Sequence, residues 1–169
     1  MVTPVTPEQI NSLADSVVVD SLWGYAYKVI ENKDKSFSSE YAIVKNMPPG
    51  YMVIYSISLV EAEVGNGGFN QYFVNSSYRF ANDALESYVK IGSKEYSVIL
   101  KKAIDIYNQD KNKYEKLRNS MDMDEFSKSY DNNPLNDLDD AFYDCPENID
   151  SLKIAYIRNH ISDFTAGKK

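Results

Sequence analysis

Tyr51-Met52-Val53-Ile54-Tyr55-Ser56-Ile57-Ser58-Leu59-Val60-Glu61-Ala62-Glu63-Val64, followed by Gly65-Asn66-Gly67-Gly68, admits two secondary structures, and the choice between them sets the fold class. Its Ile, Val and Tyr content suits a strand by propensity alone. Its length and its Ser-Leu-Val-Glu-Ala-Glu ending instead predict a buried helix. Pro48-Pro49-Gly50 punctuates its start, and the Gly-rich block is expected to stop it.

Helical periodicity continues on both sides. Thr6-Pro7-Glu8-Gln9 reads as a capped helix start, with Gln9 closing a capping box. Ile10, Leu13 and Val17 follow, then Leu22, Trp23, Tyr27 and Ile30, with a break expected near Val17-Val18-Val19. Asn32 to Glu40 reads as a loop. Phe69 to Asn75 reads as a short helix, and Phe80, Ala84, Leu85, Tyr88, Val89 and Ile91 form a stripe that Gly92 ends. Val98, Ile99, Leu100, Ala103, Ile104 and Tyr107 mark another helix, and a polar one follows through Tyr114 and Leu117. Asp122 to Asn133 is turn-rich. Leu135, Leu138, Ala141 and Phe142 fit a short helix stopped near Pro146. Asn148 caps a last one carrying Ile149, Leu152, Tyr156, Ile157, Ile161 and Phe164. The expectation is an all-α, single-domain helical orthogonal bundle of six or more helices spanning 1–169. Such a length buries roughly two-thirds of its unfolded surface, so no staple is required.

Charge narrows the function. The net charge is −7, which argues against direct nucleic-acid binding, since that needs clustered Lys and Arg. Within Asn119–Asp150 there are ten acids and one base, Lys128, so that window carries −9 and the remainder of the chain +2. Self-repulsion in such a window works against folding. Three readings stay open. The first is a solvated face with helix caps, Asp131 and Asp137 among them. The second is a metal site, but Asp131-Asn132-Asn133 lacks the glycine and terminal glutamate of an EF-hand loop. The third is a negative surface for a positively charged partner, formed by Asp122, Asp124, Glu125, Asp131, Asp137, Asp139, Asp140, Asp144 and Glu147. Asp137, Asp140 and Asp144 fall at i, i+3 and i+7, on one helix face.

The catalytic inventory is thin, and no enzyme activity and no cofactor are expected. His160 borders the apolar stripe of the last helix, and Cys145 precedes Pro146 among acids, a poor setting for a nucleophilic thiol. Glu61 and Glu63 point to different sides of a helix. No metal-protease, phosphate-loop or nucleophile-elbow motif occurs. Met1 to Pro7 has no basic or apolar leader character, and no apolar run is long enough to span a membrane, so a cytoplasmic location is expected.

The densest local pattern is Glu63-Val64-Gly65-Asn66-Gly67-Gly68-Phe69-Asn70-Gln71-Tyr72-Phe73, then Asn75-Ser76. Asn66, Gly67 and Gly68 permit left-handed conformations and so a chain reversal between packed helices. Glu63, Asn70, Gln71 and Asn75 can tie that turn by side-chain hydrogen bonds. Together with Leu135-Asn136-Asp137-Leu138-Asp139-Asp140-Ala141-Phe142-Tyr143 and Tyr156-Ile157-Arg158-Asn159-His160, this pattern resembles the bacterial DNA-mimic protein family first known from Neisseria. The resemblance runs over roughly residues 50–164, with the N-G-G-F-x-Q block its most specific part. It implies an all-helical domain that presents DNA-like negative charge to a DNA-binding protein. Glu63, Asn66, Gly67, Gly68, Phe69 and Gln71 take structural roles in it, and Asp137, Asp139 and Asp140 are its motif-matched acids. The alternative reading is an inhibitor or immunity-type protein that blocks a toxin, nuclease or defence protein. Either way the partner expected is a protein with a basic surface, and a homodimer stays open.

Overall fold

The computed structural model describes residues 4–120 and 122–165. The first three residues of the Met1–Pro7 stretch, and the last four of the chain, lie outside them. Among the described residues there are eleven α-helices, one 3-10 helix and no strand. The all-α expectation holds.

The stretch 51–64 is the first part of α4 (Pro49–Val74), around which the rest is arranged. Its Tyr51, Val53, Ile54, Tyr55, Ile57, Val60 and Val64 are all buried. A helix apolar on every side belongs in the middle of a fold. It packs against α2 (Asp15–Lys33), α3 (Glu40–Lys45), α5 (Ala81–Lys90), α7 (Lys111–Ser120), α9 (Asn136–Tyr143) and α11 (Ser162–Thr165). α6 (Glu95–Gln109) joins α5 to α9 at one side, and α10 (Ile149–Asn159) lies on α2. α1 (Pro7–Ser12) carries the expected capping box: Thr6 Oγ1 accepts from the Gln9 amide and Gln9 Oε1 from the Thr6 amide. Asn148 caps α10 through the Ser151 amide at 2.9 Å.

Several boundaries differ from expectation. The break between the first two helices falls at Leu13–Ala14, and Val17–Val19 sits inside the first turns of α2. Buried Val18 anchors that run against the core, and packing outweighs β-branched propensity. The 32–40 loop shrinks to Asp34–Ser39, where Asp34 gathers Ser36, Ser38 and the Ser39 amide into a turn. α3 follows it, tethered by the buried Glu40 carboxylate, which accepts from Tyr55 Oη at 2.6 Å. α8 (Met123–Lys128) occupies part of the turn-rich segment. The last helix is two, divided at His160.

The glycine block does not stop α4 outright. Gly65 and Asn66 stay helical, and only Gly67 and Gly68 leave helical geometry before the helix resumes. Glu63 Oε2 lies 2.9 Å from Asn75 Nδ2, twelve residues on. A straight helix would separate those positions by about 18 Å along its axis. The chain therefore folds sharply back at the glycines.

Candidate functional site

The bend is where the two sequence patterns meet. Gly68 has φ 73° and ψ −179°, a conformation open essentially only to glycine. The backbone groups around the bend are satisfied by one segment of chain. Phe69 N–H donates to Asp139 Oδ1 at 2.7 Å. Gly67 O accepts from Tyr130 Oη and Val64 O from Tyr143 Oη, each at 2.8 Å. Buried Asn70 donates to Ser129 Oγ at 2.7 Å and accepts from Asn133 Nδ2 at 3.0 Å. Phe69 meets Phe142 edge-on with centroids 5.7 Å apart. The far side of the bend is tied by Glu63, which accepts from Gln71, Asn75 and Ser77 at 2.7, 2.9 and 2.6 Å, while Asn66 donates to Gln71 at 3.1 Å. The N-G-G-F-x-Q block and the acid-rich helix thus form one interlock. Every buried polar group named here has a partner, which favours a single position for α9.

That interlock sorts the nine expected surface acids. Asp139 turns inward to cap the resumed half of α4, and burial, aided by nearby Asp140, raises its pKa against the lowering effect of the Phe69 amide. Asp122 caps α8 through the Asp124 and Glu125 amides at 2.8 and 3.1 Å. Glu125 pairs with Lys116 at 3.3 Å. Glu147 caps α6 from across the fold, accepting from Ser93 Oγ at 2.5 Å and the Lys94 amide at 2.8 Å. Burial pushes the Glu147 carboxyl up, but Ser93 and the amides of Lys94, Glu95 and Tyr96 outweigh it and hold the pKa below the usual glutamate value.

The other five, Asp124, Asp131, Asp137, Asp140 and Asp144, are exposed and form no ion pair among the described residues. Asp137, Asp140 and Asp144 lie along α9 and its C-cap, opposite the inward Asp139 and Phe142. Asp137 in the first turn suits the helix dipole, whereas Asp144 at the carboxyl end works against it. A helix-stabilising role accounts for the first and not for the last.

The depressed Glu147 pKa has a signed consequence. A carboxylate of this kind adds stability above its unfolded pKa and loses it as pH falls through its folded pKa. Glu147→Gln is expected to cost about 1 kcal/mol at neutral pH, the worth of a typical cap. The deficit should shrink once the wild-type carboxyl also protonates. Urea unfolding of both proteins at neutral and at acid pH measures this, and a deficit that persists unchanged in acid contradicts it.

Other sequence candidates lie elsewhere. His160 places Nδ1 2.9 Å from the Tyr156 carbonyl and stacks on the Tyr156 ring at 4.5 Å. Asn133 of the calcium-like fragment is buried and spent on Asn70, the Ser129 carbonyl and the Leu135 amide. No group of three His, Cys, Asp or Glu side chains suited to a metal occurs among the described residues. None of the described helices is long and apolar enough to cross a membrane. The sequence reading missed Lys153, buried on α10, with Nζ 2.8 Å from Glu61 Oε2 and 2.9 Å from Asp150 Oδ1. Its position beside Leu152 in an apolar stripe was the available signal.

A family model described as DMP19-like protein matches residues 45–160. The chain belongs to the DMP19-like protein family. This agrees with the DNA-mimic resemblance drawn from the motifs. Comparisons with curated proteins and with solved structures give no match. The DMP19-like region runs from the end of α3 to the end of α10 and so contains both halves of the interlock. In this DMP19-like protein α1 and α2 stand outside the matched range, yet α2 packs on α4.

Proposed function

We propose that this DMP19-like protein acts as a DNA mimic, presenting fixed carboxylates to the basic surface of a DNA-binding protein. The observation that carries the reading is the outward row Asp137, Asp140 and Asp144, unpaired, on a helix whose inner face is locked to the α4 bend. At about 1.5 Å of rise per residue, successive members advance about 4.5 and 6 Å along the axis. Phosphates advance about 3.4 Å per strand along a duplex, and further along their helical path. Fixed charges lose less on binding than flexible ones. A surface of this kind steers a basic partner from a distance and is screened by salt.

Binding to a DNA-binding partner is expected to weaken steeply as salt rises, and duplex DNA is expected to compete. Titrations across ionic strength with and without competing duplex check both, and an affinity that stays flat with salt sinks the reading.

A second reading draws on Tyr143, 61% exposed and next to Asp144. An amphipathic ring amid acids suits a shape-dependent contact, as an inhibitor of a toxin or nuclease would make. A partner that does not bind nucleic acid favours it.

A further inference from the structure

A second site lies away from the α9 row and carries the opposite charge. A cavity of about 620 Å3 opens between the end of α4, the 3-10 helix Ser76–Phe80, α7 and α8. Arg79 and Arg118 both line it. Arg118 is half-buried and held in place. It donates to the Phe73 carbonyl and to Tyr107 Oη, and its guanidinium lies 3.9 Å from the centroid of the Tyr78 ring. Arg79 donates to the Ser38 carbonyl at 3.1 Å. The chain has 25 acidic residues, yet neither arginine forms an ion pair among the described residues. The carboxylate on this wall, Asp122, is turned to the amides of α8. Each arginine has five N–H donors, so both retain several with no acceptor among the described residues. The remaining wall joins apolar Val74, Leu117, Met123 and Phe126 to polar Gln71, Asn75, Ser76 and Asn119.

We infer that this cavity binds a small monocarboxylic acid with an apolar body, its carboxylate taken by Arg79 and Arg118. A pinned guanidinium is a pre-organised fork for a carboxylate. Two cations and one carboxylate leave the wall with a single net positive charge, which matches a monoanion. A phosphate monoester, near −2 at neutral pH, exceeds that charge. The four apolar side chains suit the body of such an acid, the polar ones beside them help to orient it, and the volume falls in the usual range of a small-molecule pocket. This site does not depend on the DNA-mimic reading.

Calorimetric or NMR titration of the whole protein with hexanoate and with phenylacetate tests it, with hexanol and hexylamine as controls. Saturable binding of at least one acid is expected, at least about tenfold tighter than hexanol, with no binding of hexylamine. Arg118 is too entangled in the fold to be a clean probe. Met123 is 71% exposed, so Met123→Glu places a repelling charge on the wall without touching the core. It and Arg79→Gln should each weaken the acid at least about tenfold while the unfolding midpoint stays fixed. Charge reversal on the α9 row should leave acid binding unchanged. Failure of both acids to bind saturably, binding no tighter than hexanol, or Met123→Glu binding like wild type would overturn the assignment.

Discussion

Gly68→Ala is expected to destabilise the protein by roughly 3 kcal/mol, from backbone strain together with a lost cap. Two costs combine. At φ 73° and ψ −179° a side chain is strained whatever space surrounds it. Space is also lacking, because a Cβ on Gly68 would stand 2.7 Å from Asp139 Cγ and closer still to its oxygen. The carboxylate must move, and the Phe69 amide then loses its acceptor. Thermal unfolding should show a midpoint lower by about 6–12 °C for a chain of this size. Pairing Gly68→Ala with Asp139→Gly removes the collision but leaves the strain, so the double variant should stay well below wild type. A single variant within about 1 kcal/mol of wild type would show that the bend is not held in the geometry described.

Triple charge reversal, Asp137→Lys with Asp140→Lys and Asp144→Lys, is expected to weaken partner binding by about 100-fold. Each exposed pair is worth up to about 1 kcal/mol, and three such terms sum to about two decades in affinity. The loss should fall mainly on the association rate and should diminish at high salt. The fold should survive, because none of the three pairs with a described residue and each is exposed. Relief of the like-charge crowding in 119–150 offsets the dipole cost at Asp137, and Lys at position 144 suits the helix end. Unaltered affinity in a folded triple variant removes the acidic row from the interface. The same substitution at Asp139 is no control, since Asp139 holds the bend.

Asp139 and Asp140 illustrate what a sequence conceals. They are adjacent, identical and equally acidic in the window count, yet one caps a buried amide and the other faces solvent. Helical spacing separates them only once the facing element is known, and that element is seventy residues away in the chain. Glu147 is similar: its capping role on α6 spans more than fifty residues. The short helices α3 and α8 are illegible for a further reason. Six residues hold too few turns to show a period, and α3 is tied down by the contact between Glu40 and Tyr55.

The all-α class, the capped ends at Thr6 and Asn148, the need for glycine near position 68 and the confinement of excess charge to 119–150 are legible in the amino-acid order alone. These rest on local rules of periodicity, capping and backbone sterics, or on counting. Long-range packing makes α4 the centre, makes its glycines bend it rather than end it, and brings Tyr130, Asp139 and Tyr143 to clasp the bend. It alone separated the acids that hold the fold from the five left outside it, because a carboxylate's role depends on which distant donors folding brings within reach.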